Sequence, residues 1–67
     1  MTPQTFLFIR KYTLKIAQVQ MAKLIGKSRN MVSQYENGHH PIPAEVSTLL
    51  WGVLEERDLP IPPTVQF

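Results

Sequence analysis

Apolar residues fall in four runs along this chain, separated by polar or helix-breaking positions. Thr2-Pro3 pairs a hydroxyl cap with a proline suited to a first helical turn. Phe6, Leu7, Phe8, Ile9, Tyr12 and Leu14 then predict a strongly apolar first helix ending near residue 14. In IAQVQMAKLIG the apolar set is Ile16, Val19, Met21, Ala22, Leu24 and Ile25. Met21, Leu24 and Ile25 stand at i, i+3 and i+4, which is helical spacing, and Gln18, Gln20 and Lys23 are the polar positions. Gly26 supplies a left-handed residue that ends a helix cheaply. Only Lys27 separates it from Ser28, which caps the next helix. That third helix runs to about Asn37 and stops at Gly38. Prolines at 41 and 43 cannot sit in a helix interior, but Pro43 fits the first turn of a fourth helix, 43 to about 57. Its apolar set is Val46, Leu49, Leu50, Trp51, Val53 and Leu54. The tail LPIPPTVQF is proline-rich and then strand-like, so it predicts an extended arm. The pattern therefore predicts an all-α fold: a compact domain of four helices, five at most, over 1–57, with a C-terminal arm over 58–67.

The third segment, KSRNMVSQYENG, departs from an ordinary wet helix. Asn30, Ser33, Gln34 and Asn37 stand at i, i+3, i+4 and i+7 and form one continuous stripe, which Arg29 joins along the neighbouring row. Met31, Val32 and Tyr35 form the opposite stripe and can pin the helix to the domain. A solvated face favours Lys and Glu, which keep helix propensity high. Amides, a hydroxyl and a guanidinium instead match base edges in the major groove: Asn or Gln to adenine, Arg to guanine, Ser to several bases. Two helices joined by one tight glycine turn form a helix-turn-helix, and the N-terminal end of its second helix is the end that enters the groove. The competing reading is a plain solvated face. Glu36 favours the first, because phosphates would repel it at the groove; it is expected to point inward and pair with a basic residue.

Charge separates along the sequence. Residues 1–40 carry six Lys and Arg against Glu36 alone, whereas residues 41–67 carry Arg57 against Glu45, Glu55, Glu56 and Asp58. A basic half beside an acidic one suggests one face for a polyanion and another turned away from it. With 67 residues the chain is one small domain, and with no cysteine it has no disulfide, thiolate zinc site or thiol nucleophile. His39 and His40 are adjacent, which is no metal-ligand spacing. No apolar run approaches a membrane span and no secretory core is visible, so a soluble cytoplasmic protein is expected, without cofactor, metal or small-molecule ligand. Gly26, Gly38 and Gly52 are isolated, so no phosphate loop supports an enzyme.

QVQMAKLIGKSRNMVSQYENG and the PIP turn after it resemble the phage repressor and Cro-type, XRE-like helix-turn-helix family. The resemblance covers roughly residues 7–54 and is most specific at Gln18, Ala22, Gly26, Ser28, Arg29, Val32 and Glu36-Asn37-Gly38. It implies that Gln18 opens the second helix and holds a phosphate through its side chain and the helix N-terminus. Ala22 lets the two helices cross closely. Arg29, Asn30, Ser33 and Gln34 match the base-contacting positions. Asn37 matches a phosphate-contacting amide, and Lys23, Lys27, Ser28, His39 and His40 are further backbone candidates. Glu36 matches an acid that pairs with a first-helix arginine; the aligned residue here is Lys11, with Arg10 beside it.

Four departures change the picture. Lys15 stands where the family has glycine, and Ala17 where it has a Ser or Thr cap, a loss of about 1 kcal/mol. Lys27 stands for an aliphatic residue in the turn, which turns a core contact into a charge that can face phosphate. His39-His40 stands for Lys or Arg, which makes backbone contact strengthen in acid, where imidazole gains charge. The resemblance implies a homodimer reading two half-sites. Trp51, Val53, Val65 and Phe67 are the interface candidates; core filling is the competing reading for the first two and a frayed terminus for the last two. The expected function is a DNA-binding repressor that regulates its own operon. In size and layout it resembles small phage or mobile-element regulators, anti-CRISPR-associated autorepressors among them. The alternative is an antitoxin-like protein-interaction module with secondary DNA binding.

Overall fold

The computed structural model describes residues 1–60. Helix α1 spans Pro3–Phe8 and runs without a break into a π-helical segment, Ile9–Leu14. Helix α2 follows at Gln18–Ile25, α3 at Arg29–Asn37 and α4 at Ala44–Glu56. The chain is all-helical over the described residues, as the apolar pattern predicts, and helix boundaries fall within a residue or two of those expected.

Each boundary has a local cause. Thr2 Oγ1 accepts from the Thr5 N–H at 3.1 Å, and Pro3, which has no N–H to satisfy, opens α1. The π segment closes on the carbonyl of Arg10, which accepts the N–H of Lys15 and, at 3.0 Å, that of Ile16. Lys15 takes the left-handed conformation there (φ 55°, ψ 49°). That backbone costs a residue with a Cβ about 1 kcal/mol or more, which is the physical reason glycine suits the position. Ala17 precedes α2 and offers no capping oxygen; Gln20 supplies the reciprocal half of a cap by accepting the Ala17 N–H at 2.8 Å. Gly26 (φ 70°) and Gly38 (φ 75°) end α2 and α3 in the left-handed region. Pro43 sits just before α4 in extended conformation, and Glu45 lies in the first turn, where a negative charge favours the helix dipole.

The core is one cluster: Phe6, Ile9, Met21, Ala22, Ile25, Val32, Tyr35, Val46, Leu50 and Leu54. Phe6 and Tyr35 meet edge to face at 5.6 Å between ring centroids, joining α1 to α3. Helix α3 thus lies between α1 and α2, and α4 packs against α2. Trp51 is half-buried against this cluster, so core filling accounts for most of its surface. The expected arm does not start cleanly at 58. Asp58 takes a left-handed conformation (φ 54°), the Leu59 N–H returns to the Leu54 carbonyl at 2.8 Å, and Leu59 rests on the core. The interface candidates Val65 and Phe67, and the rest of the expected arm, lie outside the described residues.

Candidate nucleic-acid interface

Two helices and one short turn build the site. After α2 the Lys27 N–H returns to the Ala22 carbonyl at 2.9 Å, with Gly26 in the left-handed corner. The chain extends at Ser28, whose Oγ accepts the Met31 N–H at 3.1 Å and starts α3. Val32 and Tyr35 are fully buried and Met31 is half-buried, so they fix the inner face of α3. Helical geometry then leaves Arg29, Asn30, Gln34 and Asn37 exposed on the opposite side, with Ser33 half-buried at its edge. Asn37 leans back one turn, and its Nδ2 donates to Ser33 Oγ at 3.3 Å.

Glu36 points inward, as its charge leads one to expect, but its partner is Arg10 and not Lys11, the residue that the family resemblance aligns. Arg10 Nε donates to Glu36 Oε2, Arg10 Nη2 donates to Oε1 at 3.2 Å, and Nη1 donates to the Ile16 carbonyl at 2.9 Å. Lys11 is exposed. Ordinary helical spacing is the cause: Arg10 follows Phe6, which meets Tyr35 of α3, by four residues and shares its face, whereas Lys11 lies one position further round, toward solvent. Arginine also suits the task better, since its fork donates to both carboxylate oxygens at once.

Gln18 belongs to the same network. Its Nε2 donates to Glu36 Oε1 at 3.0 Å, so the first residue of α2 is tied to α3 from inside. One amide hydrogen is therefore committed to the carboxylate, and the side chain is not the free phosphate clamp expected. The first-turn N–H groups of α2 receive no side-chain cap. The arginine and glutamate side chains are only 12% and 7% exposed, so the pair is shielded from water and its charges do not reach the outer face.

The remaining candidates divide. Lys23 is exposed in the last turn of α2, and Ser28, His39 and His40 are exposed around α3. Lys27 is exposed too, but its Nζ lies 3.7 Å from Glu45 Oε1, an outer ion pair of little energetic weight. His40 is turned into its own loop: its Nδ1 donates to the Pro41 carbonyl at 3.0 Å and its ring meets the edge of Tyr35. Ala22 is buried between α2 and α3, as a close crossing needs. On α4, Val53 is half-buried, whereas Leu49, part of the apolar set expected for this helix, is 43% exposed. Phe8 and Tyr12 form a second exposed apolar pair, with ring centroids 5.2 Å apart.

Among the described residues no three His, Asp or Glu side chains converge on a metal-sized site, and no helix is long and apolar enough to cross a membrane. No curated protein and no solved structure gives a match to the chain. The Helix-turn-helix family model matches residues 9–50, a span that starts in the π segment and ends within α4. With α2, the glycine turn and α3 all inside that match, the chain belongs to the XRE-like helix-turn-helix family of DNA-binding transcription regulators.

Proposed function

We propose that the protein is a sequence-specific repressor that lays α3 in the major groove of its operator. One observation carries the reading: α3 buries Val32 and Tyr35 completely while its outer face presents Arg29, Asn30, Gln34 and Asn37 to solvent. Side chains that can form paired hydrogen bonds to base edges are thus held on a helix whose inner face is fixed by the core. In this reading Arg29, Asn30, Ser33 and Gln34 contact bases, while Lys23, Ser28, Asn37 and His39 meet the phosphates beside them. The internal pairing of Glu36 with Arg10 supports it, because the acid on α3 is withdrawn from the phosphates. Four of the five acids stand in residues 41–67, so the repulsive charge is concentrated away from α3 in sequence.

The protein acts as a homodimer on an inverted repeat and controls its own operon, in the manner of small phage or mobile-element regulators. A two-fold dimer places two copies of α3 about one helical turn of DNA apart. Leu49 and Val53 on α4 supply apolar surface for that contact. Gel-shift titration against the DNA immediately upstream of the gene, with a scrambled duplex at matched salt, tests the reading. Preference for the upstream duplex that disappears in Arg29→Ala, with the oligomeric state unchanged, is the expected result. Equal affinity for both duplexes would leave only charge-driven binding and reject a specific repressor.

A further inference from the structure

The contact between Asn37 and Ser33 bears on what α3 reads. A serine hydroxyl has one hydrogen to donate and two lone pairs to accept with, so a free serine does not distinguish donor from acceptor edges. Here one lone pair is engaged, because Asn37 Nδ2 donates to Ser33 Oγ at 3.3 Å. The orientation of that amide follows from the helix. Side chains lean back over the preceding turn, and every backbone carbonyl of α3 points toward the C-terminal end from which Asn37 leans. Facing those carbonyls and the serine oxygen, the amide turns its NH2 group inward. Ser33 is one turn inside the helix, and its hydroxyl has no hydrogen bond to a backbone carbonyl, the usual sink for a mid-helix serine. Its hydrogen remains available on the outer face.

We propose that Ser33 reads DNA as a hydrogen-bond donor, held in that role by Asn37. The base it meets then presents an acceptor: purine N7, guanine O6 or thymine O4. Cytosine, whose major-groove polar group is the N4 amine, is rejected on the contacted strand. Asn37 is a positioning residue for Ser33 and keeps its second amide hydrogen for a phosphate oxygen. The inference rests on α3 being the DNA-reading helix and adds to that reading the sign of one contact.

Selection from a randomised duplex pool tests it on the full chain, with Ser33→Ala, Asn37→Ala and Asn37→Asp compared against the parent protein. The parent protein enriches a site in which one position excludes cytosine. Ser33→Ala, which favours the helix and leaves the core untouched, accepts all four bases there while the other positions keep their preferences. At that position a 7-deazapurine or the cytosine variant weakens the parent roughly two- to tenfold, as expected for one hydrogen bond, and leaves Ser33→Ala unaffected. Asn37→Asp offers only acceptor oxygens to Ser33, draws the hydroxyl hydrogen inward and shifts the preference toward cytosine or adenine, whose amines donate. An enriched site whose every position survives Ser33→Ala overturns the proposal while leaving the repressor reading intact. An unchanged preference in both Asn37 variants overturns the role of Asn37. A pool that yields no enriched sequence rejects both readings together.

Discussion

Replacing Arg10 by methionine isolates the network that joins the π segment to α2 and α3. Methionine keeps much of the length and apolar stem but removes the guanidinium, so Glu36 is left 7% exposed with Gln18 as its partner. Two charge-assisted bonds to Glu36 and one to the Ile16 carbonyl are lost. Breaking a buried pair by removing one partner costs about 3–5 kcal/mol. The pair here is almost but not fully shielded, so about 3 kcal/mol is expected. A domain of this length has a total stability of roughly 3–10 kcal/mol, so the loss takes a third of it or more. Lys11→Met is the control. Its side chain is exposed and outside the network, so its effect stays within about 0.5 kcal/mol. Urea unfolding followed by circular dichroism at 222 nm reads both. At a slope of about 1 kcal/mol per molar urea, Arg10→Met lowers the midpoint by roughly 3 M, or abolishes the folded baseline, and Lys11→Met barely moves it. Arg10→Met combined with Glu36→Leu recovers much of the loss, because an apolar pair of similar volume removes the stranded charge. Equal losses for Lys11→Met and Arg10→Met would refute the assignment of Arg10 as the partner of Glu36.

Three further substitutions probe separate parts of the fold. Lys15→Gly relieves a left-handed backbone and, after the entropy cost of glycine, stabilises by about 0.5–1 kcal/mol, a rise in melting temperature of roughly 3–6 °C by calorimetry. Ser28→Ala removes the acceptor for the Met31 N–H and costs about 1 kcal/mol, visible as an earlier thermal transition. Leu50→Ala opens a cavity at a fully buried site and costs about 2–5 kcal/mol, so the far-ultraviolet helical signal at ambient temperature falls sharply.

Much of this architecture is legible in the residues because its determinants are local. Ser28, Gly26, Gly38 and Pro43 mark helix ends through caps, left-handed corners and a missing N–H, and the structure uses each at or within a residue of the predicted boundary. The inner stripe of α3 is legible for the same reason: Val32 and Tyr35 are one turn apart and both buried. Arg10 is legible once spacing within the first helix is followed, since it stands at i+4 from Phe6, whereas the family resemblance aligns its neighbour Lys11. The fit of a guanidinium to both carboxylate oxygens points the same way. The half-buried state of Trp51 and the return of Leu59 to the core depend on how α4 packs, which periodicity alone does not specify. The bonds from Gln18 to Glu36 and from Asn37 to Ser33 are side-chain choices, made only once the helices are in place.

Amide chemical-shift mapping on titration with the upstream duplex tests most directly whether α3 is the reading surface. The largest changes are expected on residues 28–34 and on the start of α2, while Glu55 and Glu56 at the end of α4 stay close to their free positions. Changes centred on Leu49 and Glu55, with Arg29, Asn30 and Gln34 unmoved, would contradict it.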